Sequence, residues 1–205
     1  MTLQCKICGV SDIEILKFIV NHQFSPQFVG FIVNYKKSRR FVEIKKLKKL
    51  LDINKKKSKF VAVLVKPNNK MLEKIKNLPF DYYQIYDCAP DKIKYIKQKY
   101  NKKIISAITI QNKKDLNNYK KFLTFSEIIL FDSKGYERSV GFDHSLLENL
   151  PSNFKKMIAG NIKIEDIINF RYKNYIIDVS GALEDKTGIK NKKKINKFLI
   201  EVNKL

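Results

Sequence analysis

Cysteine is scarce in this chain: Cys5, Cys8 and Cys88 are the whole supply. Three thiols cannot build a disulfide framework, and their odd number suits a reducing compartment. Histidine is scarcer still, with His22 and His144 alone. Cys5-Lys6-Ile7-Cys8 has C-x-x-C spacing, but it falls in an expected strand, where residues three apart point to opposite faces. A zinc knuckle or redox pair needs converging sulfurs, so no metal site is expected. Arginine is restricted to Arg39, Arg40, Arg138 and Arg171, although Lys+Arg number 42 against 20 Asp+Glu, for a formal net charge of +22. Sequence-specific nucleic-acid readout favours the bidentate guanidinium. Here the charge is lysine, scattered over almost every expected helix among many Asn and Ile. It reads as solvated helix faces, with no specific nucleic-acid partner.

Long hydrophobic runs are missing too. No apolar stretch approaches the ~20 residues of a membrane span, so no membrane partner is expected. Met1-Thr2-Leu3-Gln4-Cys5 lacks a basic segment followed by an apolar one, which makes the cytoplasm the expected compartment. No linker, low-complexity tract or composition shift divides the chain. Residues 1–205, with 44% hydrophobic content, are therefore expected to form a single domain with an ample core.

What is present is an alternation. Short β-branched, mostly continuously apolar runs lie at 4–7, 28–33, 60–65, 82–85, 104–108, 128–131, 157–159 and 175–179. Continuous apolarity suits strands covered on both faces. Between them, apolar residues spaced by three and four predict helices at 12–21, 43–51, 70–77, 90–100, 114–122, 143–150, 163–170 and 192–202. Ser11 and Glu14 have capping-box spacing at the start of the first. Eight βα units of about 25 residues predict an α/β fold, a single (β/α)8 TIM barrel, compact for its class. A doubly wound open sheet would usually carry a glycine-rich turn after its first strand. Cys8-Gly9-Val10-Ser11-Asp12 has one glycine only.

In such barrels the chemistry sits at the C-terminal strand ends. That rim contains Cys8, Asn34, Lys66, Tyr86, Asp87, Asp132, Gly160, Asn161, Ser180 and Gly181. Ala159-Gly160-Asn161 and Ser180-Gly181-Ala182 follow strands seven and eight, whose loops commonly cradle a phosphate through backbone N–H groups. Cys8 and Asp132 sit past opposed strands as a candidate acid–base pair. A thiolate is a competent base once its pKa falls toward neutrality, which Lys6 would assist. A carboxylic acid donates near neutral pH once burial raises its pKa.

Lys6-Ile7-Cys8-Gly9, Val29-Gly30-Phe31-Ile32 and Ser38-Arg39-Arg40 resemble the start of phosphoribosylanthranilate isomerase. Gln84-Ile85, Leu130-Phe131-Asp132-Ser133, Phe142-Asp143, Ala159-Gly160-Asn161, Asp178-Val179-Ser180-Gly181-Ala182-Leu183-Glu184 and Gly188-Ile189-Lys190 follow in the family's order. The resemblance implies a cofactor-free isomerase of tryptophan biosynthesis. It would turn N-(5-phosphoribosyl)anthranilate into 1-(2-carboxyphenylamino)-1-deoxyribulose 5-phosphate by an Amadori rearrangement, working as a monomer or homodimer. It further implies Asp132 as general acid, Cys8 as general base, Arg40 facing the anthranilate carboxylate and Asp178 a sugar hydroxyl. Gly160, Asn161, Ser180 and Gly181 would hold the phosphate.

The chain departs from the family pattern in places. Tyr86-Asp87 replaces the usual histidine-glycine, the sixth loop is the short Lys134-Gly135-Tyr136-Glu137-Arg138-Ser139-Val140-Gly141, and Asn161 stands for a second glycine. Gly181 and Ala182 replace a serine and a glycine. Two alternatives are another barrel sugar-phosphate isomerase, which would use two aspartates, and a non-catalytic phosphate- or nucleic-acid-binding barrel. Cys8 opposes the first, and the presence of both Cys8 and Asp132 opposes the second.

Overall fold

The computed structural model describes residues 3–134 and 141–205. Met1 and Thr2, where the sought secretory segment would begin, and residues 135–140 of the sixth loop lie outside the described residues. Among the described residues, eight strands are β1 (Gln4–Cys8), β2 (Phe28–Ile32), β3 (Lys59–Val65), β4 (Tyr82–Tyr86), β5 (Lys103–Ile110), β6 (Ile128–Ser133), β7 (Lys156–Ile158) and β8 (Tyr175–Val179). Each pairs in parallel with the next, and β1 pairs with β8 to close the barrel. The α-helices are α1 (Ile13–Asn21), α2 (Ile44–Leu51), α3 (Asn69–Ile75), α4 (Pro90–Tyr100) and α5 (Lys192–Asn203). No helix among the described residues is long and apolar enough to cross a membrane.

The period of two along each strand divides the apolar residues into two cores. Cys5, Ile7, Val29, Phe31, Ile129, Phe131, Ile177 and Val179 face outward and join the helices in the outer layer. Cys8, Phe28, Val61, Val63, Tyr86, Ile105, Leu130, Met157 and Ile176 fill the barrel interior. Cys5 and Cys8 thus lie on opposite faces, as their strand spacing requires. Charged residues stay on the outside of the helices: Lys45, Lys46, Lys48 and Lys49 of α2 are all exposed, whereas Leu47 and Leu50 are buried.

Several expectations need correction. The cap of α1 is Asp12, not Ser11. Its Oδ1 accepts from the N–H groups of Glu14 and Ile15, both at 2.9 Å, and its charge suits a helix N-terminus. Three expected α-helices are 3₁₀ segments, at Lys113–Lys121, His144–Leu147 and Ile164–Phe170. The cause lies in the spacing. Leu116, Tyr119 and Phe122, and likewise Ile164, Ile167 and Phe170, recur at threes and pack on the barrel. That period fits three residues per turn better than 3.6. Strands one and six run further than expected, so Cys8 and Asp132 are strand residues with their directions set by the pleat.

Candidate active site

At the C-terminal ends of the strands an open cleft is lined by Cys8, Arg40, Tyr86, Asp132, Asp178 and the loops after β7 and β8. The eight residues to which the resemblance assigns a role, including Gly160, Asn161, Ser180 and Gly181, all border this one cleft. Asn34, Lys66 and Asp87 of the expected rim do not line it. Asn34 instead pairs both ends of its amide with the backbone of Val65, at 2.8 Å each. Lys66 and Asp87 take positive φ values of 44° and 50°, turning the chain sharply away from the ends of β3 and β4.

The floor on the β1 side is built from charge. Lys6 and Cys8, two apart on β1, point into the barrel together. Lys6 is sealed from solvent, and its Nζ donates to Asp178 Oδ2 at 2.7 Å while its charge acts on the Cys8 thiol two residues along. Gly30 of β2 makes room for them: a Cβ there would stand 3.0 Å from both Cys8 Sγ and Lys6 Cε. Burial by itself pulls Lys6 down, but Asp178 and Cys8 hold it above its ordinary value, so it remains an ammonium. Burial pushes the Cys8 thiol up and Lys6 only partly offsets this, which corrects the expectation that the basic surround would bring it below the ordinary thiol value. Asp178 Oδ1 is buried with no hydrogen-bond partner among the described residues.

Across the cleft, Asp132 of β6 accepts from the Tyr86 hydroxyl at Oδ2 and from the Ser133 N–H at Oδ1, both at 2.8 Å. Burial raises this carboxyl to about 6, with Tyr86 opposing the rise and Asp178 adding to it. A thiol and a poised acid therefore face one cavity from opposite walls. That arrangement suits moving a proton off one atom of a ligand and onto another.

The two remaining sides came less directly from the sequence. After β8, Ser180 Oγ donates to the Cys8 carbonyl at 3.0 Å, tying the end of β8 to β1. Gly160 and Asn161 both have positive φ, 94° and 52°, curving the β7 loop toward the Ser180–Gly181 loop. Arg40 reaches the cleft from the β2 loop and is gripped by Glu184, which takes both Arg40 Nε and Arg40 Nη2. Arg39 and Lys190 bind the same carboxylate, each at 2.6 Å. Gly9, at φ 75°, clears the way: a Cβ there would collide with Arg40 Cδ. Lys6 was expected to assist Cys8, but its pairing with Asp178 was not foreseen, and Glu184 and Lys190 were not expected as site-building residues. For Lys6 the readable signal was a lysine inside an apolar strand two positions before Cys8.

The chain matches the family model for N-(5′phosphoribosyl)anthranilate (PRA) isomerase over residues 5–201. It is 30% identical to an N-(5′-phosphoribosyl)anthranilate isomerase of Campylobacter jejuni, over 98% of this chain and all of that one. Its fold resembles the crystal structure of phosphoribosyl anthranilate isomerase from Thermotoga maritima, with a TM-score of 0.86, 22% identity, and coverage of 99% of this chain and 100% of that one. A phosphoribosyl anthranilate isomerase in complex with reduced 1-(o-carboxyphenylamino)-1-deoxyribulose 5-phosphate is similar at a TM-score of 0.84 and 22% identity, with the same coverage.

Proposed function

The chain belongs to the N-(5′-phosphoribosyl)anthranilate isomerase family, enzymes of tryptophan biosynthesis, and from that premise we propose that Asp132 and Cys8 perform the proton transfers of the Amadori rearrangement. Asp132 gives its proton to the furanose ring oxygen of phosphoribosylanthranilate, and the ring C–O bond breaks to leave an iminium. Cys8, as thiolate, takes the proton from C2′, forming the enamine, which tautomerises to the ketone. The observation that carries this reading is the pairing of a carboxyl raised to about 6 with a thiol beside a buried ammonium, on opposite walls of one cleft. The first group can donate near neutral pH, and the second can hold negative charge next to Lys6.

The other contacts follow the substrate's shape. Asp178 Oδ1, which has no partner among the described residues, accepts from a sugar hydroxyl, relieving a buried acceptor. Arg40, held in pose by Glu184, meets the anthranilate carboxylate. The N–H groups around Gly160, Asn161, Ser180 and Gly181 hold the phosphate. The scattered lysines act as a solvated, ligand-attracting surface and read no nucleic-acid sequence.

Phosphoribosylanthranilate made in situ fluoresces through its anthranilate group. Purified protein should abolish that signal at a rate proportional to its concentration. A flat trace at micromolar protein, with the fold intact by circular dichroism, would contradict the assignment.

A further inference from the structure

The wall that carries Asp132 contains a hydrogen-bond chain of fixed direction. Gln84 Nε2 donates to the Tyr86 hydroxyl oxygen at 3.1 Å, and that hydroxyl donates to Asp132 Oδ2 at 2.8 Å. Gln84 is fully buried and Tyr86 nearly so. Tyr86 starts on β4 and reaches past β5, whose inward Ala107 is small, to meet β6. A phenol has a single proton to give. With its oxygen accepting from Gln84, that proton is aimed at the carboxylate. The second oxygen of Asp132 is held by the Ser133 backbone N–H, a donor that cannot turn round.

We propose that Tyr86 is a positioning residue for the acid: anchored by Gln84, its hydroxyl fixes the orientation of the Asp132 carboxyl and stabilises the carboxylate left behind once the proton, kept off Oδ1 by the Ser133 N–H, has gone from Oδ2 to substrate. This rests on the reading of Asp132 as general acid. Balance is simple, because one proton leaves Oδ2, the carboxylate gains the full Tyr86 hydrogen bond, and Tyr86 keeps its own proton throughout. Buried beside Asp132, Asp178 and Cys8, the phenol is pushed well above its ordinary value and stays a donor. The groups facing Asp132 are Tyr86 from β4, Lys6 from β1 and Asp178 from β8. Of these, Tyr86 and Lys6 favour the carboxylate and Asp178 disfavours it. Where the family resemblance leads one to expect histidine, this chain therefore uses a neutral donor that does not itself titrate in the working range.

The test is a carbon-13 titration of the aspartate side chains, with Asp132→Asn used to assign the signal. Tyr86→Phe keeps the ring and deletes the hydroxyl. The Asp132 midpoint, expected at about 6, should rise by about one pH unit or more, the worth of a hydrogen bond to a charged group. The acid limb of kcat/KM should move with it. Gln84→Leu should move the midpoint in the same direction by less; Gln84 Oε1 lacks a partner among the described residues, so an apolar replacement costs little there. If Tyr86→Phe fails to fold, Gln84→Leu carries the test. An unmoved or lowered midpoint in the folded variant overturns the proposal. A raised midpoint in a chain whose wild type shows no isomerase activity overturns the catalytic reading of Asp132 and leaves the contact standing, so the two fail separately.

Discussion

Lys6 Nζ stands 2.7 Å from Asp178 Oδ2 inside the barrel, with the two side chains 0% and 5% exposed. The residues are direct partners in the pairing of β1 with β8, the seam that closes the sheet. One end of a buried ion pair thus lies on the first strand and the other on the last. Such a pair stabilises weakly as a whole, because two desolvated charges nearly cancel their attraction. Its use lies in holding a positive charge beside Cys8, where an anion has to form.

Lys6→Met should cost stability, since Asp178 is left as a buried carboxylate with no counter-charge. Breaking one side of such a pair typically costs 3–5 kcal/mol. Adding Asp178→Asn should restore more than half of that loss, because the orphaned charge is gone. Urea unfolding of the two single variants and the double variant measures it. Strictly additive losses would show that the two groups do not interact.

Cys8→Ala and Asp132→Asn should each lower kcat by ~10² or more while leaving the fold intact, the usual worth of a positioned acid or base. Cys8→Ser is a finer probe, since it keeps size and a proton but removes the accessible anion. Wild-type-like turnover in the Ala or Asn variant would remove that residue from the mechanism.

The two groups titrate in the inverse order of their roles. Asp132 must be protonated and loses its proton near 6, whereas Cys8 must be ionised and titrates above the ordinary thiol value. Below 6, activity climbs with pH as thiolate accumulates. Above it, loss of the acid cancels further gain. The kcat/KM profile should therefore be bell-shaped, with its lower limb near 6 and its upper limb above the ordinary thiol value of about 8.5. In Asp132→Asn the residual rate should keep climbing through pH 6–8, because the group that cancels the gain is gone. A lower limb retained near 6 in that variant would assign it to another group.

Much of this was legible before any coordinates. The strands were plain because both faces of each are covered, one by helices and one by the barrel's own filling, which leaves unbroken apolar runs. Cys8, Asp132, Gly160 and Ser180 could be placed on one rim because parallel strands deliver their C-terminal ends to the same side. The helix type was less legible: Leu116, Tyr119 and Phe122 satisfy a helical template and a 3₁₀ one alike until packing selects. Lys6 could be placed beside Cys8, but its ion pair was hidden, since no local pattern links it to Asp178, 172 positions away. Glu184 was hidden for the same reason, because its work is contact with Arg39, Arg40 and Lys190 across distant loops.

Glu184→Gln should loosen Arg40 without touching the acid or the base. Gln keeps the shape but forfeits the bidentate, charge-assisted grip. KM should rise about tenfold or more with a smaller change in kcat, the pattern of lost ground-state binding. An analogue lacking the anthranilate carboxylate should bind wild type and variant alike. An unchanged KM would show that Arg40 holds its place by packing against Gly9 alone.

Asp132→Asn should also gain stability relative to wild type as pH rises, and that dependence identifies the cause. A carboxyl raised from its ordinary value to about 6 in the folded state binds its proton more tightly folded than unfolded. Its contribution to stability is therefore complete below pH ~4 and is lost as pH rises through 6. Asparagine carries no charge at any pH and keeps a carbonyl acceptor for the Ser133 N–H, but its NH2 cannot accept from the Tyr86 hydroxyl, a loss that does not depend on pH. Measured against its value at pH 4, the variant's stability relative to wild type should accordingly grow between pH 4 and 6 and level off above. The full shift corresponds to about 3 kcal/mol. Asp132 borders the open cleft, however, and water there screens part of it, so a plateau of about 1–2 kcal/mol is expected. Chemical denaturation at pH 4, 5, 6 and 8 measures the curve. A difference that stays constant from pH 4 to 8, or shrinks, would mean that the carboxylate is stabilised in its site and that Asp132 is not held as an acid by burial.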